Sequence, residues 1–153
     1  MKPRFRKRFH RSLDSKGRLM LPPEYRDIIY AASSSGSLVF TTYDECIAVY
    51  TMPEWEAFEE KMEQLKNPNR AQRDFHRQLV GSAEELVLDP QGRVRISQAL
   101  MRFAGLSKDV VLVGRGSTFE IWDTQRLEGI KLDVDALDRV VKELAENGID
   151  CSL

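Results

Sequence analysis

Arg18 and Arg93 occupy the same place in two copies of one short pattern. "SLDSKGRLML", Ser12 to Leu21, returns in large part as "VLDPQGRVRI", Val87 to Ile96. Leu13, Asp14, Gly17 and Arg18 thus recur 75 residues later as Leu88, Asp89, Gly92 and Arg93. A guanidinium is a planar fork of donors that binds phosphate bidentately, or the O6/N7 edge of guanine in the major groove. A second reading needs no ligand: each arginine pairs with the aspartate of its own turn, Asp14 with Arg18 and Asp89 with Arg93, or lies on a solvated face. Spacing alone leaves both readings open.

The frame around the arginines is turn chemistry. Asp14 and Asp89 can accept from backbone N–H groups two or three residues on, and Gly17 and Gly92 can take positive φ. Pro90 pre-sets φ at the second turn position. Beyond each glycine, alternation puts Leu19 and Leu21, or Val94 and Ile96, on one face of a strand. Arg18 and Met20, or Arg93 and Arg95, then lie on the other. Lys16 and Arg11 add basic charge near the first turn, suited to sequence-independent attraction of phosphates. Lys16 faces no basic twin, its counterpart being Gln91, so the first turn is expected to be the stronger reader.

The elements that must position these turns also repeat. Helical stretches follow the two strands at 22–30 and 97–105. Next come apolar runs at 37–42 and 110–114, polar turns, and closing strands at 46–50 and 119–122. A helix opens after each, with Pro53 suited to its first turn and Asp123 to an N-cap. Each half reads β-turn-β-short α-β-turn-β-α. About 75 residues with strands this short bury little surface alone, so the halves are expected to share a core, by pseudo-twofold packing or by swapping strands. Between them Trp55, Phe58, Met62 and Leu65 form one helical stripe, and Asn67-Pro68 separates it from a second helix carrying Ala71, Phe75 and Leu79. This pair reads as packing and spacing rather than as a helix-turn-helix. Val134, Leu137, Val141 and Leu144 repeat the 3-4-3 spacing in an acidic helix stopped by Gly148, a core or subunit-packing element. The expected organisation is a basic arm (1–8), a first repeat (9–54), a helical connector (55–80), a second repeat (81–126) and an acidic helical segment (127–153).

Composition sets the class. Hydrophobic residues make up 42% and charged residues 31% of the 153 residues, as in a soluble globular protein. Apolar runs are too short for a membrane span, and no apolar stretch of signal-peptide length follows the basic start. A cytoplasmic protein is expected. Cys46 and Cys151 stand far apart outside any CxxC pattern, and His10 and His76 are isolated, so neither disulfide nor metal is indicated and no cofactor is expected. The net charge of −1 conceals an asymmetry: residues 1–26 carry nine Lys/Arg against Asp14 and Glu24, a net of +7, leaving −8 on the rest. A basic start on an acidic chain suits a polyanion, nucleic acid before membrane. No Ser/His/Asp or Cys/His constellation is evident, and "GRGSTF" (114–119) lacks the glycine pattern and Lys-Ser/Thr of a phosphate loop, so no enzyme is expected.

With the two turns established, the chain resembles the MraZ family of bacterial transcription regulators, over roughly residues 4–130. The marks are the two DxxxR motifs, Asp14 to Arg18 and Asp89 to Arg93, with "PPEYRD", "MPEWEAFEEK" and "VVLVGRGSTFEIWD" in order. The resemblance implies an α+β fold of two AbrB-like swapped-hairpin β units sharing a small β core, with peripheral helices. It also implies a sequence-specific DNA-binding regulator, a repressor, of the division and cell-wall gene cluster. The protein would act at the nucleoid as a ring-shaped homo-oligomer on short direct repeats in promoter DNA, with no small-molecule substrate. By motif position the DNA contacts carry over to Arg18 and Arg93, with Lys16 as a companion; Arg95 on the same strand face and Arg11 nearby are added from the reading of the residues, and Asp14, Gly17, Asp89 and Gly92 frame the turns. Two departures stand out: Pro90-Gln91 replaces Ser15-Lys16, and the segment from about Leu132 to Leu153 lies outside the pattern. A protein-interaction or antitoxin-like swapped-hairpin module is the alternative.

Overall fold

Each D-x-x-G-R turn divides an alternating stretch into two short strands. In the computed structural model, which describes residues 3–151, the first turn joins β1 (Arg8–Ser12) to β2 (Arg18–Met20), and the second joins β5 (Glu84–Val87) to β6 (Arg93–Arg95). Neither turn is a hairpin. β2 pairs antiparallel with β6 of the other half in a separate two-stranded ribbon, while β1 and β5 leave for a larger sheet.

That sheet also contains β3 (Ser37–Tyr43), β4 (Cys46–Thr51), β7 (Asp109–Gly114) and β8 (Thr118–Asp123). Its order is β1-β7-β8-β4-β3-β5, antiparallel throughout. The first half's β1 pairs with the second half's β7, and the second half's β5 with the first half's β3. Between the two expected ways of sharing a core, the chain swaps strands, and it does so about a pseudo-twofold lying between β8 and β4. The same axis runs through the ribbon, where Leu19 faces Val94 and Arg18–Arg95 and Met20–Arg93 flank that pair. The backbone repeats the symmetry: Leu21 N–H donates to the Gly92 carbonyl at 3.1 Å, and Ile96 N–H to the Gly17 carbonyl at 2.9 Å.

Leu19, Leu21, Val94 and Ile96 point inward from the ribbon and meet Leu38, Phe40, Ile47, Val110, Leu112, Phe119 and Ile121 of the sheet in one core. The expected α+β fold of two swapped-hairpin units is therefore present. Helix α1 (Pro23–Ala32) contributes buried Tyr25 and Ile29, and α4 (Gln98–Ala104) contributes Leu100 and Ala104. Both follow the ribbon strands, so the ribbon is clamped at each end by a helix of its own half.

The connector forms α2 (Met52–Glu63) and α3 (Arg70–Leu79). Trp55 packs edge-on to Tyr50, with centroids 5.1 Å apart. Asn69, not Pro68, starts α3, through a reciprocal capping box with Gln72. The far end of α3 is tied to the sheet by the Thr41 hydroxyl, which donates to the Leu79 carbonyl, and by that of Thr42, which donates to the Gln78 carbonyl. Asp123 caps α5 (Thr124–Glu128) by accepting from Arg126 N–H at 3.1 Å.

Two local features differ from what the sequence leads one to expect. Within the basic arm, Phe5 is a core residue: it is 2% exposed, bridges to Gly116, and lies 5.0 Å from both the Tyr25 and Phe119 rings. Met1 and Lys2 of that arm lie outside the described residues. In the C-terminal segment, α6 (Val134–Glu146) has an Asp133 N-cap and is followed by Gly148 at φ 82°. None of its residues is buried, so it adds nothing to this chain's core. Val134 and Leu137 of its apolar seam are exposed, and Val141 and Leu144 are half-buried.

Candidate nucleic-acid interface

The two turns are near-duplicates at the level of single atoms. Asp14 Oδ1 accepts from the N–H of Lys16 and of Arg18, both at 2.9 Å; Asp89 Oδ1 accepts from Gln91 N–H at 2.9 Å and Arg93 N–H at 2.8 Å. The second bond of each pair reaches four residues on, one further than the turn chemistry suggests, because the following strand has already begun. Gly17 at φ 74° and Gly92 at φ 82° make the left-handed corner that allows it. The backbone N–H of Arg18 is the main cause that draws the Asp14 carboxyl down to about 2; its guanidinium acts in the same direction, and partial desolvation opposes both. Asp89 is lowered in the same way by Arg93.

Oδ2 of each aspartate takes the arginine itself. Arg18 Nε donates to Asp14 Oδ2 at 2.6 Å and Arg93 Nε to Asp89 Oδ2 at 2.9 Å. The pairing across the turn is thus real, but it uses the Nε edge of the fork and leaves the terminal amino groups. In the first turn these have no partner among the described residues; in the second, Arg93 Nη2 meets the Gln91 side-chain oxygen. The side chains remain 32% and 26% exposed. The aspartate therefore aims the guanidinium without enclosing it.

Register decides what surrounds them. Arg18 lies directly across from Arg95, and Arg93 across from Met20, so all four side chains share the outer face of the ribbon. Arg95 and Met20 are exposed. Arg95, Lys16 and Arg102 line one cleft of about 710 Å³ between the first turn and α4, with Ser15, Ser97 and Met101. Arg11 is not brought to the ribbon: it sits on β1, its Nη1 donating to the His10 carbonyl and its guanidinium 5.4 Å from the Phe9 ring centre.

Two residues join the site that its sequence spacing does not indicate. Arg26 of α1 lies on Gly92, so closely that a Cβ there would stand 2.4 Å from Arg26 Cδ and 2.5 Å from its Nη1. Its Nε is buried with no hydrogen-bond partner. Arg102 of α4 lies beside the first turn. Each turn therefore has an arginine from the helix of the opposite half next to it. Neither signal could be read locally, because Arg26 and Gly92 are distant in sequence, and the repeat counterpart of Arg26 is Met101, which packs against Gly17 instead. Among the described residues, Lys16, Arg26, Arg95 and Arg102 have no carboxylate partner, and no group of three or more His, Cys, Asp or Glu side chains is gathered to hold a metal.

The family model described as "MraZ protein, putative antitoxin-like" matches residues 5–78 and again 79–138. The chain belongs to the MraZ family. The double match coincides with the structural duplication, one copy for each D-x-x-G-R turn. Among its relatives, the "Transcriptional regulator MraZ" of Nitratidesulfovibrio vulgaris strain Hildenborough is 56% identical over 95% of this chain and 97% of its own length. That of Oleidesulfovibrio alaskensis is 51% identical over 95% and 97%, and that of Yersinia enterocolitica 41% over 93% and 95%. MraZ relatives are thus named as regulators of transcription and not as enzymes, in keeping with the absence of a catalytic constellation from the sequence. No helix among the described residues is long and apolar enough to cross a membrane.

Proposed function

We propose that this member of the MraZ family regulates transcription by binding promoter DNA, with the outer face of the β2–β6 ribbon as its reading surface. The observation that carries this is the antiparallel register that puts Arg18, Arg95 and Arg93 on one exposed face. Like charges directly opposed across two strands are destabilising, and the Asp14 and Asp89 pairs relieve only Arg18 and Arg93. The remaining charge of Lys16, Arg26, Arg95 and Arg102 suits a polyanion. A two-stranded ribbon fits the major groove, about 12 Å wide. Arg18 and Arg93 read bases with their terminal amino groups, while Lys16, Arg95 and Arg102 attract phosphates. Arg26 supplies at the second turn the charge that Gln91 lacks, so both turns contribute. Arg11 plays a lesser part, on the phosphate backbone.

The finer reading follows the family likeness: a repressor of the division and cell-wall gene cluster, working at the nucleoid. Several subunits of a ring-shaped homo-oligomer place their ribbons on successive short direct repeats, and multivalency makes weak single contacts sufficient. The test is a footprint of the purified protein on the DNA upstream of its own gene, with a salt series. Protection of direct repeats spaced near a helical turn is expected. A stable complex with a second protein and no protected DNA would favour the antitoxin-like alternative instead.

A further inference from the structure

The outer face of the β2–β6 ribbon carries three arginines and one methionine. The pseudo-twofold relates Arg18 to Arg93 and Met20 to Arg95, so within these four residues the duplication is broken at Met20. Register then gives the ribbon two unlike ends. At one end Arg18 lies across from Arg95, with Lys16 and Arg102 nearby. At the other, Met20 lies across from Arg93, with Gln91 in the turn and Arg26 against Gly92. Met20 is 40% exposed, whereas Leu19 beside it is buried. A single exposed apolar side chain needs no explanation by itself. This one lies on the face proposed to meet DNA, opposite an arginine whose Nε edge is fixed by Asp89.

A methionine among arginines brings no charge and no strong hydrogen bond, so it neither holds phosphate nor reads a base edge through donors. What it brings is an unbranched, polarizable apolar end that adapts to the shape it meets. On the floor of the major groove, the apolar group open to such a side chain is the C5-methyl of thymine. Geometry restricts where that thymine lies. Side chains directly opposed on antiparallel strands start about 4.5–5.5 Å apart at Cβ. Successive base pairs are about 3.4 Å apart along the duplex. Met20 and Arg93 therefore reach base pairs one or two steps apart.

We propose that Met20 is a specificity-determining residue that packs on the C5-methyl of a thymine, one or two base pairs from the base read by Arg93. This rests on the ribbon as the DNA-reading surface and adds a base that the arginines do not select. Arg95, in the equivalent place at the other end, takes a phosphate instead. The two ends of the ribbon thus meet DNA by different chemistry.

The test uses the full chain and the DNA upstream of its own gene, with each thymine of a protected repeat replaced singly by deoxyuridine. Uracil keeps the pairing edge and lacks only the methyl. Arg93→Ala locates the base read by that arginine, as the position where specificity relaxes. For the unmodified protein, uracil at one thymine within two base pairs of it should weaken binding about fourfold, equivalent to about 0.8 kcal/mol for one buried carbon group. The factor should hold at every salt concentration, because a methyl contact releases no counterions. Met20→Ala and Met20→Gln, checked for folding by circular dichroism, should bind the thymine-containing repeat about fourfold more weakly and be indifferent to uracil at that position. Unmodified protein that is insensitive to uracil throughout the repeat, or a uracil penalty that persists in either Met20 variant, would overturn the proposal and leave the ribbon as reading surface standing. Specific binding that survives in the Arg18→Ala/Arg93→Ala double variant would instead remove the reading surface itself, so the two failures are told apart.

Discussion

The proposed reading of DNA by Arg18 and Arg93 rests on Asp14 and Asp89 taking only the Nε edge of each guanidinium, with Gln91 also meeting Nη2 of Arg93. Lysine cannot divide itself that way, so Arg18→Lys should bind a promoter repeat almost as weakly as Arg18→Ala. Loss of a base contact should cost about 1–3 kcal/mol and relax specificity. The turn itself has a pH signature. The folded Asp14 carboxyl lies near 2, below the ordinary 3.8, so its contribution is complete above 3.8 and is lost as pH falls through about 2. The amide resonances of Lys16 and Arg18 should titrate with a midpoint near 2; a midpoint near 3.8 would mean that the aspartate does not hold the turn. Gly17 and Gly92 share one kind of strain. Alanine at either meets the positive φ, and at Gly92 it also meets Arg26. Arg26 is a flexible side chain that can swing aside, so Gly17→Ala and Gly92→Ala should each destabilise the protein by about 1–2 kcal/mol through the backbone, as measured by chemical denaturation.

At the scale of elements, local pattern and long-range partnership parted company. The alternation of Leu19 with Leu21 and of Val94 with Ile96, the two short helices and the capping residues Pro53 and Asp123 could be placed from the sequence, since each depends on neighbours within a turn or two. Which strand pairs with which is not written locally. β1 finds β7 about a hundred residues away, and β2 finds β6, so the partners Arg26 and Arg102 were hidden although their helices were expected. Phe5 was obscured by its company: flanked by Arg4 and Arg6, it read as part of a charged arm, yet it lies among Tyr25 and Phe119. Phe5→Ala should cost about 3–5 kcal/mol. Replacing Arg4 and Arg6 instead should leave the denaturation midpoint nearly unchanged.

The whole molecule is a duplicated unit folded upon itself, so that one chain builds what two short ones would otherwise have to build together. The pseudo-twofold that joins the halves is also what delivers two D-x-x-G-R turns to one ribbon face, with an arginine from each opposing helix beside them. Binding at this scale should be strongly salt-dependent, because unpaired cations at the ribbon displace counterions from DNA. The most direct measurement is the affinity of the Arg18→Ala/Arg93→Ala double variant for DNA upstream of its own gene, across a salt series, beside the unmodified protein. Affinity for the repeats should collapse toward that for unrelated DNA while fold and assembly mass stay the same. Unchanged specific binding by a folded double variant would contradict the ribbon as the reading surface.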